Sequence, residues 1–594
     1  MRPFHKNCGI VCLVVAFLSA GYSMVGSESA TGISGRVTAP DGSAMEGVAV
    51  SARSSIQTLT TSVYTNKNGE YHFPILASGK YKIWAQAVGF ETARAESQIT
   101  ANKKTRQDFR LRPLKDFSQQ LSGTEWANSL PIATPEDRRM KKMFEWACTN
   151  CHTSGFVLSK RFDEDGWDRI LDAMIKQRVN AGSANGDAII AYKDELAKYL
   201  TRIRGPEPSP MQFKPLPRVT GEAADIVVTE YDIPPGNEPD FKLFPNGSDW
   251  TEGVPNESQA YVLHDAYPCK DGNVYFSDNM TPERTIGKLD PKTGNVTSYK
   301  LATPSGAAAS SHGLLCAPNG DVWFSNLTEN RIDRFDPKTS QFQRFPREGS
   351  AALHQTMISV AMDSKGNVWS SQADGALKLN PQTGQYTKYT TAIKHGEPYG
   401  VTVDSEDNGW VAQWYADYVS VADPKTGKFT DIDVAPTGES YSARDLEIGQ
   451  KSKTPLKVPP FYQNGPRRLG ADPNGDSVWV GEFYGGHLMK INIHTKQVTR
   501  YDMNPDSHPY TAAVDKNHMV WVPLMNGDRL AKFDPFTEKF TEYPLPSLGT
   551  HIRFIAVDNT TNPVSIWLSY SGVNKIAHME FRSGATTAAE KNGN

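Results

Sequence analysis

From about residue 225 onward the chain repeats one turn phrase. It reads Leu289-Asp290-Pro291-Lys292-Thr293-Gly294, Phe335-Asp336-Pro337-Lys338-Thr339-Ser340 and Leu379-Asn380-Pro381-Gln382-Thr383-Gly384. It returns as Ala422-Asp423-Pro424-Lys425-Thr426-Gly427, Ile491-Asn492-Ile493-His494-Thr495-Lys496 and Phe533-Asp534-Pro535-Phe536-Thr537-Glu538. The Asp or Asn of each copy follows the last by 46, 44, 43, 69 and 42 residues, the long gap carrying an insertion around Gly438 to Pro460. A second phrase precedes each turn, with an aromatic at Tyr275, Trp323, Trp369, Trp410, Trp479, Trp521 and Trp567. Repeats of roughly 40 to 50 residues, each with four short strands, are the signature of a β-propeller. Seven copies predict a seven-bladed β-propeller over 225–594, with a C-terminal tail and the aromatics as wedges between blades. The strand Ile226 to Tyr231 has no blade ahead of it, so it is expected to complete the last blade and cover its edge.

A different signal lies upstream. Cys148-Thr149-Asn150-Cys151-His152 is a CxxCH, the attachment pattern of a c-type haem, in a chain with only six cysteines. The two thiols would bind the porphyrin and His152 would be the proximal iron ligand. The competing reading, half of a zinc site, requires a second ligand pair nearby, and none follows. Downstream, Trp167, Ile170, Leu171, Met174 and Ile175 recur at helical spacing, so one face of a helix would pack over the haem. Met174 is the expected distal ligand, with a plain core role as the alternative and Met211 in reserve. This stretch resembles the small monohaem cytochrome c domains fused to periplasmic dehydrogenases, where a tryptophan helix presents its methionine to iron. The resemblance implies a small all-α cytochrome c domain over 136–210, closed by a helix from Asp187 to Arg204.

The first thirty residues carry Arg2, His5 and Lys6, an apolar run from Ile10 to Leu18, and small residues near Ala20 and Ala30. That is the pattern of a secretory signal peptide, 1–30; the run is short for an uncleaved anchor. Export and haem c attachment agree, and together they predict the periplasm of a Gram-negative bacterium. No later segment is apolar enough to span a bilayer, and a net charge of -3 argues against a nucleic-acid partner.

Residues 31–114 carry short strand patterns separated by Asp41-Gly42, Asn68-Gly69 and Ser78-Gly79, which read as a small all-β sandwich. Gly35-Arg36-Val37, Thr65 to Phe73 and Gly79-Lys80-Tyr81 resemble the carboxypeptidase regulatory-like domain. The resemblance implies a non-catalytic module for spacing, adhesion or protein contact, with carbohydrate binding as a further use. Linkers are expected at 115–135 and 211–224. The fold class expected is thus multidomain: small all-β sandwich, small all-α cytochrome c domain, seven-bladed β-propeller.

The blades resemble the virginiamycin B (streptogramin) lyase family, through phrases such as Phe533-Asp534-Pro535, Phe540 to Pro546 and Asn574-Lys575-Ile576. That resemblance implies a lactone-opening elimination by a histidine base, an acidic neighbour and Mg²⁺ at the hub. The nearest match to the pair is His264 with Asp278; His312 is matched by Asn326, and Glu482 by Arg468. No blade keeps a His/Glu pair intact.

What remains is a hub rich in polar side chains. The start of each inner strand brings His264, His312, Arg467 or Arg468, His508 and His551 around one end of the channel. His354, and His395 with Glu397, could join from loops. A lone histidine is more often a satisfied polar residue, but several at equivalent positions point to a metal or acid–base site. Imidazoles suit copper, zinc or iron better than magnesium. For an oxidoreductase, Asp278, Glu397 or Glu482 would be the base and Arg467 or Arg468 would hold an anionic substrate, with electrons leaving through haem c to a periplasmic partner. The alternatives are a Mg-dependent C–O lyase and a non-catalytic electron carrier with a docking propeller. Cys269 and Cys316 sit at nearly matched positions of adjacent blades, as a disulfide or as two buried thiols.

Overall fold

Each repeat folds as one antiparallel four-stranded sheet, because its Asp-x-x-Thr turn ties the two outer strands. Thr293 Oγ1 donates to Asp290 Oδ2 (2.9 Å), Thr339 Oγ1 to Asp336 Oδ2 (2.9 Å) and Thr426 Oγ1 to Asp423 Oδ2 (2.7 Å). The computed structural model describes residues 32–101, 103–180, 186–234, 246–255, 263–348, 357–451 and 456–582, leaving aside the side chains of 177–180 and 186–188. The leader 1–30 and His354 lie outside the described residues.

Six sheets run in chain order from the first strands Leu263–Pro268, Ser311–Cys316, Val360–Met362, Pro398–Val403, Pro466–Ala471 and Ala513–Val514. The seventh holds Ile552–Asp558, Ser565–Tyr570 and Lys575–Phe581, with Ile226–Asp232 as its fourth strand. Each first strand touches the next, and Ile552–Asp558 touches Leu263–Pro268, so the sheets form a propeller-like ring. The repeated tryptophans are buried between sheets. Trp410 and Trp521 donate their indole N–H to Asp404 (2.7 Å) and Asp515 (2.9 Å). Cys269 and Cys316 are disulfide-bonded, which decides between the two alternatives; their Cα atoms lie 5.7 Å apart, within the ordinary disulfide range.

The expectation of three separate units, a small all-β sandwich, a small all-α cytochrome c domain and a seven-bladed β-propeller, is overturned. The described chain is mostly β, in separate four-stranded sheets, and no small all-α cytochrome c domain stands by itself. Two packing facts explain why. Ile226–Asp232 pairs on its far side with Leu59–Tyr64, so the last ring sheet runs on into the N-terminal sheet as eight strands. Val227 of that shared strand is part of the N-terminal apolar core, beside Val50, Val63 and Ile83.

The helices are likewise absorbed. They are α1 (Gly123–Asn128), α2 (Pro135–Cys148), α3 (Ser154–Leu158), α4 (Glu164–Asn180) and α5 (Gly186–Arg204), with α6 (Ala443–Gln450) in the long insertion of the ring. Thr134 and Asp137 form a capping box at the start of α2, where Pro135 takes the first helical position. The core of α2, α4 and α5 is completed by Phe461 of the ring, with Tyr462 and Tyr484 packed against it. Arg139 pairs with Asp445 (2.7 Å), Lys141 with Asp506 (2.6 Å) and Lys142 with Glu439 (3.0 Å).

At the shared sheet, Lys575 is fully buried against Glu230 (3.4 Å) and Ser547 Oγ (3.1 Å). Removing one partner of a buried pair strands the other charge, so Lys575→Met is expected to lower stability by about 3–5 kcal/mol. Chemical denaturation of the variant beside the parent checks this, and a loss within about 0.5 kcal/mol would refute it.

Candidate functional site

A bulge near the start of the inner strands places neighbouring residues at the hub together. The register shifts between Leu263 and Ala266, Ser311 and Leu314, Pro398 and Val401, Pro466 and Leu469, and Ile552 and Phe554. A bulge breaks the alternation of a strand. Thus His264 and Asp265 are both buried at the hub, as are Arg467 and Arg468.

Asp265 is the anchor. Its carboxylate accepts from Arg468 through both oxygens (3.0 Å each) and from His264 Nδ1 (2.7 Å). The His264 ring lies 3.5 Å from that of His312, centroid to centroid. His312 Nδ1 donates to the Ile358 carbonyl (2.9 Å), which leaves Nε2 as an acceptor 3.4 Å from Tyr399 Oη. Tyr399 Oη is closer to Tyr510 Oη, at 2.7 Å. Arg467 stands within a cage formed by Trp414, Tyr510, Phe483 and Tyr399, its guanidinium carbon 4.2 to 5.0 Å from their ring centroids. His508, at φ 54°, stacks on Phe483 (4.6 Å), and neither of its ring nitrogens has a hydrogen-bond partner among the described residues.

Burial holds these imidazoles neutral. It lowers His264 and His551 well below the usual range, reinforced by Arg468 and Arg553 respectively. Burial and neighbouring His264 do the same to His312, and burial brings His508 down to about 3. The two tyrosines move apart. Burial raises Tyr399, whereas at Tyr510 burial is outweighed by Arg467, Arg553 and Arg468, which lower the phenol. The two phenols share one hydrogen bond of 2.7 Å.

The Cys148–His152 turn sits over this end of the hub. Cys148 ends α2 and His152 N–H donates to its carbonyl (3.2 Å); Cys148, Cys151 and His152 are all partly exposed. Asn150 Oδ1 accepts from Arg467 Nη1 (2.8 Å). On the other side of the turn, Ser154 N–H donates to Asn526 Oδ1 (2.8 Å), and Asn526 Nδ2 donates back to Ser154 Oγ (3.0 Å). Two thiols and an imidazole on one partly exposed turn are a donor set that fits covalent haem attachment.

The other expected residues fare differently. Asp278 is committed to Arg284 (3.1 Å), and Glu482 to Arg500 (2.9 Å) and His487 (3.0 Å). His395 and Glu397 both have positive φ and stand just before the inner strand Pro398–Val403. Trp167 is buried and donates to the Arg204 carbonyl (3.3 Å), but Met174 is 40% exposed and outside the apolar core. Met211 is buried within that core. His264, Asp265 and His312 bring ligand atoms within 4.8 Å of one another and could hold a metal ion. Against this, Asp265 already serves Arg468 and His264, and nearby guanidiniums would repel a dication. Asp265, Tyr399, Tyr510 and Arg553 are not expected from the sequence; the His264-Asp265 dipeptide at a strand start was the available signal.

Residues 32–112 match the carboxypeptidase regulatory-like domain. Among solved structures, the chain is similar to a streptogramin B lyase at 17% identity, covering 61% of this chain and 100% of that one, with TM-score 0.46. It is also similar to virginiamycin B lyase from Staphylococcus aureus at 17% identity, covering 55% and 97%, with TM-score 0.44. The extracellular domain of a one-component system from B. thetaiotaomicron follows at 14% identity, covering 56% and 40%, with TM-score 0.41. No curated protein matches the chain. These similarities give no cytochrome c domain over 136–210.

A buried neutral histidine makes stability depend on pH in a known direction. In the unfolded chain His508 gains a proton below about 6.5, whereas in the folded chain it stays neutral down to about 3. Its contribution is therefore undiminished above pH 6.5 and falls as pH drops through the window from 6.5 to 3. His508→Asn, which tolerates the positive φ, is expected to flatten stability against pH between 6 and 4 by about 1.4 kcal/mol per pH unit. Denaturation at several pH values measures that slope, and an unchanged slope would show that His508 already protonates in the folded state.

Proposed function

We propose that this chain is an exported, periplasmic oxidoreductase carrying one haem c, with a small molecule reacting at the ring hub beneath the Cys148–His152 turn. The observation that carries this reading is the 2.8 Å hydrogen bond from Arg467 at the hub to Asn150, between the two cysteines. The motif therefore meets the hub at its polar end. Cys148 and Cys151 would make the thioether bonds and His152 would be an axial ligand. When bound, haem c supplies one-electron redox chemistry.

The chain's own residues supply the rest. Tyr510 Oη is the acceptor for a substrate proton, because three arginines favour its phenolate and Tyr399 Oη lies 2.7 Å away. The neutral imidazoles of His264 and His312 leave positive charge to the guanidiniums. Asn150 and Ser154 hold the motif turn against Arg467 and Asn526, which fixes its height above the hub. The elimination chemistry of a lyase draws no support from the acidic residues, since Asp278 and Glu482 are neutralised by Arg284 and Arg500. No described helix is long and apolar enough to cross a membrane, and export rests on the leader pattern.

Protein purified from a periplasm competent in haem maturation is expected to give about one covalent haem per chain by the pyridine haemochrome assay. Cys148→Ser with Cys151→Ser should abolish it. Tyr510→Phe should keep the haem but slow its reduction by an active substrate by about a hundredfold or more. Parent protein without covalent haem would sink the whole reading. Haem present, with no organic acid or alcohol in a substrate panel able to reduce it, would instead favour an electron carrier with a docking ring.

A further inference from the structure

Beneath the motif turn, two carboxyl groups meet across the junction of helices and ring. Glu145 of α2 and Asp506 of the ring are 8% and 2% exposed, and their side chains face each other. The cation beside them is Lys141, whose Nζ lies 2.6 Å from Asp506 Oδ2 but 3.9 Å from Glu145 Oε1. The ammonium is thus the partner of Asp506, and Glu145 Oε1 accepts no hydrogen bond from the described residues. The other charged or titratable groups around the pair are Lys142 on α2, Tyr199 on α5 with the Arg202 guanidinium over its ring, and His508. Lys142 is engaged by Glu439 (3.0 Å) and Arg202 by Asp137 (2.6 Å), while His508 is neutral. One cation for two buried carboxyl groups favours a proton on the one it does not hold. Burial, and then the charge of Asp506, push the Glu145 carboxyl well above the usual range.

The same two residues carry the anchors of the turn. The Glu145 carbonyl accepts from Thr149 N–H (3.0 Å) and Thr149 Oγ1 (2.5 Å), inside the CxxCH. The Asp506 carbonyl accepts from Asn526 Nδ2 (2.8 Å), and Asn526 Oδ1 accepts from Ser154 N–H (2.8 Å). We propose that Glu145 carries a proton at neutral pH, and that giving it up as pH rises loosens the Cys148–His152 turn from the ring. Once Glu145 ionises, two carboxylates stand against one ammonium, and the repulsion acts on residues whose backbone holds both sides of the turn. This pH-sensitive seat of the motif requires neither haem nor a substrate at the hub. A carboxyl that holds its proton more tightly in the folded chain contributes fully below its unfolded value of about 4.5. That contribution falls as pH rises toward the folded value. Local opening of the turn follows the same rule, because opening releases the proton to water.

Chemical denaturation of the full-length protein at several pH values between about 6 and 8, beside Glu145→Gln, tests this. Glutamine keeps the shape of the protonated acid and cannot ionise. The parent's folding equilibrium constant should therefore fall relative to the variant's by about tenfold per pH unit. Asp506→Asn leaves Lys141 to Glu145 alone, so it should remove the same fall, and it carries the comparison where Glu145→Gln does not fold. Hydrogen exchange over residues 149–154, corrected for the intrinsic effect of pH, reads the turn itself. The parent should lose protection there by about tenfold or more across the range, and Glu145→Gln should keep it. Parallel stability of the parent and both variants across this range would mean that Glu145 is already ionised, and would overturn the proposal. Equal loss of protection in the turn with and without the Glu145 carboxyl would overturn it as well.

Discussion

The architecture depends on how the ring of sheets hides its last edge. The seventh sheet has three strands of its own at the C-terminal end of the repeats, and its fourth, Ile226–Asp232, comes from before the first repeat. That strand has two edges. One pairs with Lys575–Phe581, and the other takes Leu59–Tyr64. An unpaired edge in this position would present a row of open N–H and C=O groups; here both are used. Beyond Gly79–Gln86 and Ala93–Ile99, which extend the shared sheet, the chain from about residue 100 to 225 must then leave it and return to it. The helical segment is looped out by that requirement, and Arg53 pairing with Asp232 (2.6 Å) fastens the junction.

The looped-out helices settle where electrostatics and shape favour them. Their basic residues Arg139, Lys141 and Lys142 meet acids of the ring and its insertion, while Phe461 fills their apolar core. Charged pairs at such an interface fix register more than they add affinity. Register is what matters for the motif turn, because a slip of one helical turn would separate Asn150 from Arg467. Asn526 supplies a second point of attachment, and its side chain satisfies both Ser154 N–H and Ser154 Oγ. Two polar anchors on opposite sides of a short turn leave it little freedom to tilt.

The ring was legible in the sequence because its signals are local. Asp290, Asp336 and Asp423 cap their own turns, and each tryptophan wedge serves the repeat that carries it. The shared sheet was not legible, since pairing between Leu59–Tyr64 and Ile226–Asp232 joins segments more than 160 residues apart that both read as ordinary strands. The same limit explains the separate all-α domain that the sequence led us to expect: a helix pattern shows an apolar face but not what covers it. At the hub, position along the strand pointed to His264, His312, Arg467, Arg468, His508 and His551, all of them buried in the fold. It could not show that Asp278 and Glu482 pair with Arg284 and Arg500. Met174 shows a further gap, because helical spacing groups it with buried Trp167 while its own side chain is 40% exposed.

The strand bulge connects fold and chemistry. In a regular strand His264 and Asp265 would point to opposite faces, as would Arg467 and Arg468. With the bulge, Asp265 reaches Arg468, which frees neighbouring Arg467 to turn toward Asn150 and the aromatic cage. One local irregularity thus gives the two arginines different tasks, one against the channel and one against the motif. Between them stand Tyr399 and Tyr510, with His312 at one side. The proposed chemistry at the hub rests on this arrangement, in which Arg467 joins the aromatic cage to Asn150 of the motif while Arg468 holds Asp265.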